Sequence, residues 1–182
     1  MAWRLTKTIV LVGMMGSGKS AVGAALARLV DAPFLDSDAE IEKAANMTIA
    51  EVFERDGEPF FREKESQVIA RLLKTQRCIL STGGGAFLAQ ENQDRIAADG
   101  LSVWLRTDLD LLWSRVRHKN TRPLLRTANP RETLKELCAL REPEYAKAQL
   151  VVDAEPGLEI EDMAKKVLRA IVEDGTAVEE VQ

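Results

Sequence analysis

The chain has 182 residues, 46% of them hydrophobic and 30% charged, with a formal net charge of −4. That length suits one α/β domain with a full core, and the balance excludes a disordered or fibrous chain. The acidic balance argues against nucleic acid as a main partner, and no stretch is long and apolar enough to span a membrane as a helix. Residues 1–7 carry no signal-peptide h-region. Cys78 and Cys138 have no metal-ligand spacing, and Cys78 lies in an apolar run, so a buried free thiol is expected there. These features predict a soluble cytoplasmic protein, with a monomer as the default.

The first element is an apolar strand at 9–12. It runs straight into Gly13-Met14-Met15-Gly16-Ser17-Gly18-Lys19-Ser20, which opens a helix at 19–29. The segment fits G-x-x-x-x-G-K-[ST], and the strand before and helix after are the setting that pattern needs. Glycines let the backbone turn its N–H groups inward, and the helix start adds positive dipole. The result is a socket for the β-phosphate of a nucleotide. Lys19 can reach the β- and γ-phosphates, and the Ser20 hydroxyl can ligate Mg²⁺.

The second strand, at 33–35, ends in Asp36-Ser37-Asp38 and leads into a helix at 38–45. Carboxylates two apart at a strand end can face one site, one toward a metal and one toward a substrate hydroxyl. A cap on the following helix is the plainer alternative for Asp36 or Ser37. Helices follow at 49–55 and 59–74. The second carries Arg62 and Glu65, which at i and i+3 read as a surface ion pair. The third strand, at 78–81, ends in Ser81-Thr82-Gly83-Gly84-Gly85. Three glycines in a row let backbone approach a ligand closely. This strand lacks the acidic residue that a Walker B strand would offer, so Asp36 becomes the candidate metal carboxylate.

A helix at 90–98, a strand at 102–105 and a helix at 109–116 come next. Residues 118–129 are rich in Lys, Arg, Thr, Asn and Pro without clear periodicity, and read as a flap that carries cations. A helix at 131–147 bears Arg141 four residues before Tyr145. A strand at 150–152 and a helix at 159–172 complete the pattern, and the acidic tail 173–182 is expected to fray. Short apolar strands alternating with amphipathic helices predict an α/β fold with a parallel sheet covered on both faces. In such a sheet ligands sit at the carboxyl ends of the strands.

Taken in order, Asp36-Ser37-Asp38, Phe61-Arg62-Glu63-Lys64-Glu65, Thr82-Gly83-Gly84-Gly85, Arg122-Pro123-Leu124-Leu125 and Arg141…Tyr145 resemble the shikimate kinase family across residues 8–172. The resemblance implies a three-layer P-loop NTPase fold whose five parallel strands lie in the order 2-3-1-4-5. It implies a single kinase domain over 1–182, a helical substrate-binding segment at about 38–71 and a lid at about 118–129. The implied reaction moves the γ-phosphate of ATP to the 3-hydroxyl of shikimate, with Mg²⁺ as cofactor and neither nucleic acid nor membrane as partner. The implied nucleotide contacts are Gly16, Ser17, Gly18, Lys19, Ser20, Ala21, Arg115 (near adenine) and Arg122. Asp38, Arg62, Gly83, Gly84, Gly85 and Arg141 would hold shikimate, the two arginines by its carboxylate. Lys19, Asp38 and Arg122 would be catalytic, and Ser20 with Asp36 (through water) would serve the metal.

Two features depart from the family pattern. Ala21 follows Ser20 where many members carry threonine, and the loop 153–157 is shorter and less basic on the expected adenine side. The rival readings are another small-molecule P-loop kinase, such as a gluconate kinase, and a nucleotide-binding switch. The first gives no reason for paired arginines beside a glycine triplet. The second would need switch loops and a partner surface, and no segment stands out as either.

Overall fold

The computed structural model of the chain describes residues 1–118 and 123–182. Its centre is a five-stranded sheet built from β2 (Thr8–Val12), β3 (Phe34–Asp36), β4 (Ile79–Ser81), β5 (Gly100–Arg106) and β6 (Leu150–Asp153). The spatial order is β3-β4-β2-β5-β6, and every pairing is parallel. Numbered within this sheet alone, that is the expected 2-3-1-4-5.

Alternation along β2 explains the layers. Successive side chains of a strand point to opposite faces. Ile9 and Leu11 pack with Val22 and Leu26 of α1 (Lys19–Leu29) and with Val167 and Ile171 of α8 (Ile160–Asp174). Val10 and Val12 pack on the other face. Their neighbours there include Ile69 and Leu72 of α4 (Glu58–Thr75), Ile96 of α5 (Gln90–Asp99), Leu112 of α6 (Leu109–Val116) and Leu134 of α7 (Pro130–Tyr145). The central strand is therefore buried at every position and apolar from Ile9 to Val12, as suits a strand covered on both faces. Two further helices, α2 (Ser37–Ala45) and α3 (Ile49–Asp56), extend from β3 beside α4.

The tail departs from the expectation of fraying. Val178–Val181 forms β7 and pairs antiparallel with β1 (Ala2–Leu5), in the register Ala2↔Val181 to Leu5↔Val178. The cause is burial plus charge pairing. Ala177, Val178 and Leu5 join the core cluster under α1 and α8, and Arg4 donates through Nε to Glu179 Oε1 at 2.8 Å. Cys78 and Cys138 are both buried free thiols. Among the described residues, no helix is long and apolar enough to cross a membrane.

Candidate active site

Three adjacent strands, β3, β4 and β2, carry the site. Their ends are in register: Leu11, one residue before the end of β2, lies opposite Ser81, which lies opposite Asp36. The loops that follow must therefore emerge side by side. The loop after β2 turns through Gly16 (φ +81°) and Gly18 (φ +91°), a region that L side chains rarely adopt. Gly16 is also pressed against α6: a Cβ there would lie 2.7 Å from Val116 Cγ1. Lys19 Nζ donates to Gly13 O at 2.6 Å and Met14 O at 3.0 Å. Arg115 donates through Nη1 to Gly16 O at 2.9 Å, which ties α6 to the loop. Residues 16–21 line a cavity of about 580 Å³ together with Asp36, Asp38, Arg115 and, on the far wall, Ala154, Leu158 and Ile160.

Asp36 has two uses. Its Oδ1 accepts from Asp38 N (2.9 Å) and Ala39 N (3.1 Å), capping α2, while its Oδ2 accepts from the Ser20 hydroxyl at 3.4 Å. The cap and the metal reading are thus compatible. Both donors are hard oxygens at the mouth of the phosphate loop. That set fits Mg²⁺, which usually keeps several waters and takes its remaining ligands from substrate phosphates.

A second cavity, about 970 Å³, adjoins the first. Asp38, Gly83, Gly84 and Met15 line both, so Asp38 sits at their junction. Arg62, Arg141 and Gly85 line the second. The glycine triplet explains how these groups meet. A Cβ on Gly83 would lie 2.8 Å from Asp38 Oδ1. On Gly84 it would lie 2.7 Å from Arg141 Nη1, and on Gly85 2.5 Å from Arg62 Nη2. Each glycine is flush against a different charged group. None of the three has a positive φ, so what they need is close approach rather than unusual backbone. The amide of Gly83 donates to Ser37 Oγ at 3.3 Å, and the Thr82 hydroxyl donates to Leu11 O at 2.9 Å, which fastens the turn to β2 and α2.

The charges here are held in low dielectric. Burial, reinforced by Asp36, pushes the Asp38 carboxyl up to about 6, against the opposing pull of Lys19 and Arg62. Arg141 is only 7% exposed, and its Nε is buried with no hydrogen-bond partner among the described residues. Glu65 corrects the sequence reading of a surface pair. It is 1% exposed, holds Arg62 Nη1 at 2.9 Å, and burial raises its carboxyl above the ordinary range. Helical spacing had already put Arg62 and Glu65 together; only the packing of α4 shows that the pair is internal. Ile49 and Phe53 of α3, with Phe61 and Leu124, add an apolar wall that no motif announced. Arg122 lies outside the described residues.

A phosphate loop, a hydroxyl–carboxylate pair beside it and an adjoining pocket with two guanidinium groups define a nucleotide-dependent phosphotransferase that acts on a small organic anion. Known proteins narrow the class. The shikimate kinase family model matches residues 15–172. A shikimate kinase of Cereibacter sphaeroides is 64% identical over 168 residues, covering 92% of this chain and 84% of that protein. One of Ruegeria pomeroyi is 60% identical over 92% of this chain and 86% of its own length. The solved shikimate kinase of Acinetobacter baumannii in complex with shikimate superposes with a TM-score of 0.87 at 37% identity, covering 93% of this chain and 95% of that one. A gluconokinase from Sinorhizobium meliloti shares the fold at a TM-score of 0.63 but only 19% identity, over 93% of this chain and 94% of its own. The chain belongs to the shikimate kinase family.

Proposed function

We infer that this protein transfers the γ-phosphate of ATP to the 3-hydroxyl of shikimate, giving shikimate 3-phosphate and ADP, a step of aromatic amino acid biosynthesis. The observation that carries the reading is the triple contact of Gly83 with Asp38, Gly84 with Arg141 and Gly85 with Arg62. It gathers one carboxylate and two guanidinium groups against one flat strip of backbone, with no side chain between them. A cyclic polyhydroxy acid needs that combination: a fork for its carboxylate, an acceptor for its hydroxyls and no bulk near the reacting oxygen.

Arg62 and Arg141, which both line the second cavity, hold the shikimate carboxylate. Asp38 accepts from the hydroxyl that attacks and takes its proton as the O–P bond forms. Phosphoryl transfer depends mostly on positioning and charge neutralisation, so orienting that hydroxyl is the larger part of its role. Residues 16–21 cradle the phosphates, and Lys19 exchanges its loop carbonyls for β- and γ-phosphate oxygens. Ser20 and Asp36, the latter through water, would hold Mg²⁺, which would neutralise charge on the phosphates. Arg115 borders the base, and Arg122 serves the γ-phosphate from a lid at about 118–129. Limited proteolysis with and without ATP plus shikimate checks the lid; equal cleavage rates would count against it.

The same reading takes residues 1–182 as one cytoplasmic, monomeric kinase domain that needs neither nucleic acid nor membrane. A coupled ADP-release assay tests the function. Turnover with shikimate and not with gluconate is the expected result, and no acceptor-dependent turnover at all would leave only a nucleotide-binding module.

A further inference from the structure

Behind the glycine strip stands a residue with no part in the chemistry so far. Tyr145 is fully buried near the end of α7, one turn after Arg141, so both side chains share a face of the helix. Its hydroxyl donates to Gly84 O at 2.5 Å and lies 3.9 Å from Met14 Sδ in the phosphate loop. Its ring packs on Trp104 of β5, centroids 5.9 Å apart. Gly84 is also the residue whose Cβ would strike Arg141 Nη1. One helix face thus meets one peptide twice, through a guanidinium that closes the space a side chain at Gly84 would fill and a phenol bonded to its carbonyl.

Two carbonyls just beyond the strip are also held by side chains. Asn92 Nδ2 donates to Ala86 O at 2.9 Å and Gln93 Nε2 to Phe87 O at 2.6 Å, both from α5. Among the described residues, none of Tyr145, Asn92 and Gln93 lines the large cavity. We propose that Tyr145 is a positioning residue for shikimate. By holding the Gly84 carbonyl from behind, it fixes the glycine strip against Arg141 and Asp38, and so sets the geometry in which the substrate's carboxylate and hydroxyls are met. The proposal rests on the shikimate kinase reading. Burial pushes the phenol up to about 12, so it stays a neutral donor at any working pH and is no proton-transfer group.

Tyr145→Phe tests this, because it keeps the ring's packing and removes only the hydroxyl, which holds Gly84 O and also hydrogen-bonds the Arg141 side chain. Loss of one buried hydrogen bond, with its acceptor left unpaired, corresponds to about a fivefold or larger effect on what it positions. The KM for shikimate is expected to rise at least about fivefold and kcat to fall, while the KM for ATP stays within about twofold. A purely structural role would lower Tm and leave those constants alone. Tyr145 is the only tyrosine in the chain, so growth on 3-fluorotyrosine labels this site alone. The ¹⁹F line of the intact protein should shift on saturation with shikimate, with a midpoint matching the kinetic affinity. A folded Tyr145→Phe with unchanged shikimate constants, or a ¹⁹F line that shikimate does not move, overturns the proposal. Failure of the parent protein to turn over shikimate would instead overturn the functional reading, and this proposal with it.

Discussion

Gly85→Ala isolates the role of close approach. At Gly85 φ is −95°, so alanine meets no backbone strain. The new Cβ would lie 2.5 Å from Arg62 Nη2 and 2.6 Å from Nη1. Ordinary contact needs about 3.4 Å, so the guanidinium must retreat by about 0.9 Å (3.4 less 2.5). The clash falls on the far end of a flexible side chain that is 34% exposed, so folding is little affected. Substrate binding is another matter. A charge-assisted hydrogen bond contributes about 1.5–3 kcal/mol, and losing one costs roughly 10- to 100-fold in affinity. The expected outcome is a Tm within a few degrees of the parent, a KM for shikimate raised at least about tenfold and an unchanged KM for ATP. The coupled ADP-release assay with both substrates varied, alongside thermal unfolding, measures all three. Shikimate constants within twofold of the parent, in a folded variant, would refute the account of why glycine stands there.

Asp38→Asn should lower kcat by about 100-fold or more, and a loss of only tenfold would remove Asp38 as an essential group. The carboxyl, raised to about 6 in the folded protein, binds its proton more tightly there than in the unfolded chain. Its favourable contribution is therefore complete below the ordinary carboxylate range and is lost as pH rises through 6. Asp38→Asn should then raise Tm at pH 7.5, and the gain should shrink toward pH 4; an equal gain at both would contradict the burial argument. In the parent, kcat/KM for shikimate should fall below about pH 6 as Asp38 takes up a proton. Asp36→Asn keeps the helix cap but weakens the metal donor. The Mg²⁺ needed for half-maximal rate should rise several-fold with little change in Tm, and an unchanged Mg²⁺ requirement would argue against Asp36 as a metal partner. Removing residues 175–182 deletes β7 and uncovers Leu5, which should cost about 2 kcal/mol, or roughly 4–8 °C in Tm. A frayed tail would cost nothing.

Local chemistry was legible in the sequence. The phosphate loop needs its glycines, Lys19 and Ser20 within eight consecutive residues, so spacing alone identifies it. The unbroken apolar run Ile9–Val12 of β2 likewise states that both faces of the sheet are covered. The family resemblance added the strand order and the grouping of Asp38, Arg62 and Arg141. What spacing could not supply were relations between distant segments. Glu65 has the same neighbours in sequence whether α4 turns it outward or inward, and only packing made it a buried partner for Arg62. The run Val178–Val181 is too polar to predict as a strand. It becomes one because Ala2–Leu5, at the other end of the chain, offers matching hydrogen bonds and Arg4. Tyr145 reads as one more helical aromatic until its hydroxyl is seen on Gly84 O. Covalent neighbours fix which groups a segment can offer. Which groups face each other across the cavity depends on where sheet and helices pack, and that minimum belongs to the whole chain at once.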